Sequence, residues 1–254
     1  MKSRLTVILY CCILSGVVFL VVYLSCVPEL MTTSRDSHIG GREAILGMPY
    51  DAKDVPAGNY SGIVRLGGNR YALVSDKAEQ GGYFIFNIDI DDKGNVTSVK
   101  NRGFRQLEPK NIDEEAIAYD KENHNIYIGK EKTSEIARYN ILDGRKNCST
   151  VVDDYRDYGY SNRTIESLTY DKRRLSVFTI NEGPLRVDNG LMLRLMEYTP
   201  NLNLKRQYTY ILDMPLDDSP TNEDGHAFGV AELLSLGDGT LLVLEREFKV
   251  EGLK

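Results

Sequence analysis

Apolar and polar residues follow one another in short runs along most of this chain, and Gly, Asn and Asp break the runs about every ten residues. That is the pattern of strands and turns. Strands are predicted at 60–66, 71–75, 83–88 and 96–100, then at 116–119, 125–129, 136–140 and near 148–152. They continue at 167–170, 175–180, 191–198 and 205–212, and end with 229–234 and 241–245. The stretch at 113–131, DEEAIAYDKENHNIYIGKE, recurs with drift at 61–76, 166–182 and 228–246. In register, Gly62, Ala116, Ser167 and Gly229 coincide, as do Ile63, Ile117, Leu168 and Val230. A closing acid (Asp76, Glu131, Glu182 or Glu245) follows each of the latter by 13, 14, 14 and 15 residues. Copies 54, 51 and 62 residues apart, each made of several short strands, predict the blades of an all-β β-propeller. The strands make about three and a half to four blades. Because an open blade exposes unpaired edges, the expectation is an incomplete chain whose full ring has about six.

The N-terminus differs. Residues 1–26 carry Lys2 and Arg4, then an uncharged apolar run over 5–24, then Ser25-Cys26. This predicts an export leader or an uncleaved membrane anchor, and Cys26 stands where a bacterial lipoprotein is lipidated. Residues 27–45 read as a linker, leaving 46–254 for the propeller. The expected location is extracytoplasmic: membrane-anchored or a lipoprotein of the cell envelope, otherwise secreted.

Composition narrows the chemistry. The formal charge is −6, or −8 once Lys2 and Arg4 leave with a cleaved leader, which disfavours nucleic acid as a partner. Cys148 is the one cysteine beyond the leader region, so the folded part has no disulfide framework and no CxxC zinc site. His38 falls in the linker and His124 in a turn, which excludes a histidine-rich metal centre. No GxSxG elbow, P-loop, Rossmann glycine fingerprint, HExxH or EF-hand loop occurs.

What repeats is acid. The first strand of a propeller blade lines the central channel, so Glu115 and Glu166, just ahead of their inner strands, should meet at one mouth. Converging carboxylates repel unless a cation or a shared proton compensates, and their hard oxygens suit calcium or magnesium. Glu115, Glu166 and Asp113 are therefore candidate ligands of a divalent cation, calcium by preference. Glu131, Glu182, Glu245 and His226 are candidates for acid–base roles, and Arg246 for an anionic oxygen. Inserts at 102–112, 152–163 and 213–227 should emerge on one face, as functional loops do.

The segments DEEAIAYD (113–120), ESLTYD (166–171), Glu182-Gly183-Pro184-Leu185 and LVLER (242–246) together resemble the phytase-like family, described by its esterase-like activity of phytase. The likeness runs from about Tyr60 to Arg246. It implies an extracytoplasmic, propeller-like domain whose recurring acids, here Glu115, Glu131, Glu166, Glu182 and Glu245, are catalytic or metal-binding. The chain departs from the family's EG pair, with Glu115-Ala116 and Glu166-Ser167 in its place. It also lacks the RHGxRxP and HCxxGxxR motifs of other phosphatases, so an esterase here is expected to be metal-assisted. The expected activity is hydrolysis of an anionic small-molecule phosphate ester. The alternatives are a non-catalytic propeller that binds a glycan, peptide or protein through the loop at 155–160, and a calcium-dependent, lactonase-type hydrolase.

Overall fold

A computed structural model describes residues 13–14, 17–18, 55, 58–188, 190–213 and 226–249. The expected leader and linker, with Cys26 and His38, lie outside these, apart from a two-residue ladder of β1 (Ile13–Leu14) with β2 (Val17–Val18). Among the described residues no helix is long and apolar enough to cross a membrane.

From Tyr60 the chain builds antiparallel meanders. Blade 1 comprises β3 (Tyr60–Gly67), β4 (Arg70–Ser75), β5 (Gly81–Ile90) and β6 (Val96–Glu108). Blade 2 comprises β7 (Glu114–Asp120), β8 (Asn125–Lys130), β9 (Glu135–Asn140) and β10 (Lys146–Val151). Blade 3 follows with β11 (Thr169–Asp171), β12 (Ser176–Ile180), β13 (Met192–Tyr198) and β14 (Leu204–Ile211). Blade 4 shows β15 (His226–Ser235) and β16 (Leu241–Lys249). The first strands β3, β7, β11 and β15 lie against one another in succession, which is the β-propeller arrangement.

Alternation along the strands explains the packing. On β8, Ile126 and Ile128 turn to blade 1 and pack with Ala72, Val74 and Tyr83, whereas Tyr127 turns to blade 3 and packs with Leu168 and Val177. On β12, Phe178 and Ile180 turn to blade 4 and meet Phe228, Val230 and Leu233. The sheets of blades 2 and 3 are thus buried on both faces, as stacked blades require.

All four sheets open with the same irregularity. Tyr60 pairs with Ser75, Glu114 with Lys130, Ile165 with Asn181 and Val230 with Glu245. Beyond each pair the inner strand gains one residue, so that Ile63 faces Leu73, Ala116 faces Gly129, Thr169 faces Phe178 and Glu232 faces Leu244. A bulge of this kind re-aims the side chain it contains. By the same count Ser61, Glu115, Glu166 and Ala231 occupy the bulge, and Asp76, Glu131, Glu182 and Arg246 follow directly on the second-strand partner of that opening pair. The matching backbone contacts agree: Asp76 N–H donates to Asn59 O, Glu131 to Asp113 O and Glu182 to Thr164 O, while Gly229 pairs with Arg246.

This corrects the alignment of the fourth copy. Glu232 and Leu233, not Gly229 and Val230, correspond to Ala116 and Ile117, and the closing position belongs to Arg246, not Glu245. The spacing from Ile63, Ile117, Leu168 and Leu233 is then 13, 14, 14 and 13.

Two inserts also differ from expectation. Most of 102–112 is strand, because β6 runs on to Glu108 against β5. An outermost strand has one free edge, so the polar run at 100–102 is tolerated there. Within 152–163 lies a short helix, α1 (Asp153–Tyr158), with Asp153 and Asp154 in its first turn and Arg156 in its last, as the helix dipole favours. Tyr155, expected in a recognition loop, is fully buried and donates from its hydroxyl to Arg194 O.

Blade 3 is tied on its outer side by Glu197, whose carboxylate accepts from Ser176 Oγ at 2.8 Å and Tyr208 OH at 2.7 Å and pairs with Lys205 Nζ at 3.0 Å. Burial alone would raise its pKa, but these donors outweigh it and hold the carboxyl at about 2, below its ordinary 4.5. A depressed carboxyl stabilises the fold above its unfolded pKa and loses that stabilisation as pH falls through the folded value. Acid titration of stability between about pH 4.5 and 2 should therefore show a loss that Glu197→Gln shrinks. An unchanged acid limb in the variant would count against this tie.

Candidate active site

The bulges and closing positions, with Asp113 just ahead of β7, bring six carboxylates together as two trios. Asp76, Asp113 and Glu115 each present an oxygen within 4.8 Å of the others, and Glu131, Glu166 and Glu182 do the same. Each trio joins neighbouring blades: Asp76 closes blade 1 where Asp113 and Glu115 open blade 2, and Glu131 closes blade 2 where Glu166 opens blade 3. Asp113 reaches its place with φ of 60°, a left-handed conformation to which aspartate is better suited than most residues.

The trios share one electrostatic environment. Burial pushes Glu115 up to about 7, against a hydrogen bond from Ser61, with Asp76 and Asp113 adding repulsion. Burial likewise raises Glu131 to about 7, and Glu115, Glu182 and Asp113 add to the shift. Glu166 is driven well above the usual carboxylate range by burial first and Glu182 next, with Arg246 opposing. Arg246 Nη2 lies 2.6 Å from Glu182 Oε1 and 3.5 Å from Glu166 Oε1. Six acids outnumber the cations at hand, Arg246 and the Lys77 that pairs with Asp76, so ionising all of them would leave this mouth with excess negative charge.

Two oxygens show what the trios lack. Glu131 is 3% exposed; its Oε1 accepts from Thr164 N–H at 2.9 Å, but its Oε2 is buried without a donor. In the other trio Asp76 Oδ1 is also buried without a donor. Buried polar atoms are ordinarily satisfied, so one orphaned oxygen per all-carboxylate trio fits a hard divalent cation.

The structure therefore brings Asp113, Glu115, Glu131, Glu166 and Glu182 to one place, with Arg246 beside them. Glu245 is not among them. It stands one residue short of the closing position, so its side chain turns to the opposite face and accepts from Tyr210 OH at 2.6 Å and Asp213 N–H at 3.0 Å. The structure thus places Glu245 outside both trios. For His226 the structure gives the backbone only, paired with Lys249 at the start of β15. Asp76, placed among the closing acids but not among the ligands, joins the first trio. Thr164 and Ser61 gave no sign of their role, since each acts through a residue on the neighbouring blade.

A search of curated protein sequences finds no match. Among solved structures the chain is similar to Kuenenia stuttgartiensis hydrazine synthase, at 11% identity and TM-score 0.44, over 80% of this chain and 45% of that one. It is similar to the β-propeller domain of Myceliophteria thermophila Cps50, at 10% identity and TM-score 0.36, over 74% and 50%. Saccharomyces cerevisiae Sqt1 is similar at 13% identity and TM-score 0.38, over 78% and 48%. The chain thus spans about half the length of each. The model of one family, Phytase-like, described as esterase-like activity of phytase, matches residues 55–253. With most of its length so matched and recurring acids gathered at one mouth, the chain belongs to the phytase-like family.

Proposed function

We propose that this protein is an extracytoplasmic, metal-assisted hydrolase of phosphate esters, held at the cell envelope by its N-terminal segment. The observation that supports this most is the orphaned Glu131 Oε2, buried in an all-carboxylate trio beside an arginine. Glu131, Glu166 and Glu182 would hold one divalent cation, and Asp76, Asp113 and Glu115 a second, calcium being the best fit to these donors. Such a cation supplies charge stabilisation to an anionic ester and acidifies a bound water. The chain's own residues do the rest. Thr164 fixes Glu131 through both its N–H and its hydroxyl, which donates to Glu131 O at 3.1 Å. Arg246, braced against Glu182, presents a planar donor fork at the rim, suited to a phosphoryl oxygen. Without a cation this acidic mouth would repel the substrate.

Hydrolysis of an aryl phosphate by the full-length protein tests the reading. Turnover should require calcium, stop in chelator and return on adding the metal. Turnover that survives chelation overturns the metal-assisted mechanism. Calcium binding with no cleavage of any phosphate ester overturns the enzyme and leaves a cation-plugged binding propeller.

A further inference from the structure

The arginines of blades 3 and 4 and of the segment leading into blade 3 are not equivalent. Arg246 is engaged with Glu182 and Glu166, and Arg194 with Asp188 and Asp154. Arg186 donates to Asp157 O and lies over the Tyr160 ring at 5.8 Å. Arg163 differs from all of these. It directly precedes Thr164, which fixes Glu131, and its own carbonyl accepts from Gly183 N–H, next to Glu182. Its backbone is thus pinned between two acids of the second trio. The side chain is half-buried, yet among the described residues its guanidinium makes no hydrogen bond or ion pair.

Gly183 accounts for where that side chain lies. A Cβ there would stand 3.3 Å from Arg163 Cδ and 3.4 Å from Nη1, tighter than ordinary van der Waals contact. The missing side chain is the notch along which the arginine stem rests, beside the Glu182–Gly183 backbone. A partly desolvated guanidinium with five donors and no acceptor invites an anion, and a planar, bidentate one suits phosphate.

We infer that Arg163, lying beside Gly183, is a second anion contact of this site that grips the phosphate group of the substrate together with Arg246. The inference rests on the hydrolase reading for its substrate, but it concerns binding and can be measured apart from turnover. Arg246 is held partly neutralised by its acids, whereas Arg163 is not, so Arg163 governs affinity more than rate.

The test uses the full-length, calcium-loaded protein and inorganic phosphate, with calorimetric affinity as the readout. Arg163→Gln should weaken phosphate binding about tenfold or more, the usual worth of a charge-assisted hydrogen bond. Arg163→Lys should recover part of the loss, and Gly183→Ala, which pushes the guanidinium from its notch, should fall between. Calcium affinity and melting temperature should match the parent in all three, which separates this role from a structural one. If the ester is turned over, KM should rise in Arg163→Gln with kcat little changed. Phosphate affinity unchanged by Arg163→Gln, or a parent that binds no phosphate, overturns the inference, even where aryl phosphate turnover upholds the hydrolase. Phosphate binding that depends on Arg163 in a protein that cleaves no ester upholds the contact and removes the hydrolase reading alone.

Discussion

Gly229→Ala is expected to destabilise the protein by on the order of 3 kcal/mol and to damage the acidic mouth at once. A Cβ at this position would stand 2.1 Å from Glu182 O and 2.9 Å from Glu182 C, a collision with backbone that no rotamer relieves. The neighbouring Val230 N–H donates to that same carbonyl at 3.0 Å, so the blade 3–blade 4 seam cannot open without losing this bond. Either β15 retreats or Glu182 moves, and in both cases Glu182 leaves its place beside Arg246. Urea unfolding should show a lower midpoint, and calorimetry a weaker calcium affinity in the surviving folded fraction. A variant with parental midpoint and affinity would mean that β15 does not rest on Glu182.

Calcium affinity should fall about a hundredfold in Glu131→Gln and in Glu166→Gln, because each removes a ligand and a charge from a buried trio while leaving its shape. The parent's affinity should also depend on pH. Glu115 and Glu131 hold protons up to about pH 7, and a cation must displace them, so affinity rises as pH climbs toward and past 7. Stability of the cation-free protein runs the other way. A carboxyl whose folded pKa is raised binds protons better folded than unfolded, so its contribution is fully present below its ordinary 4.5 and is lost as pH rises through about 7. Melting temperature without calcium should therefore drop between pH 4.5 and 7, and saturating calcium should flatten the drop. A pH-independent melt without calcium would show that these acids are not buried as described.

Most strands were legible because they are short apolar runs bounded by Gly, Asn and Asp. The repeat made Glu115, Glu131, Glu166 and Glu182 stand out. What stayed hidden were events that leave no period. The bulge adds one unmarked residue per blade, and a one-residue slip turns a side chain to the other face of its sheet. In the fourth copy Glu245 and Arg246 are adjacent, so the sequence pattern favours the acid where the structure places the arginine. Glycine at 229 imitated Gly62, while the true counterpart of Gly62 and Ala116 there is Glu232. The helix α1 is six residues long, too short for a 3.6-residue period to show. Thr164 lies 33 residues from the Glu131 that it fixes, a proximity only the blade topology creates.

The common bulge makes the closing position an address, one side chain per blade, separate from the hydrophobic faces that hold the blades together. Three addresses hold an acid and the fourth holds Arg246, so the mouth can be revised in whole units of charge without disturbing the core. A lineage of such proteins could therefore change what it attracts, from cations to anions and by degrees between, through single substitutions at four places that lie outside the hydrophobic clusters.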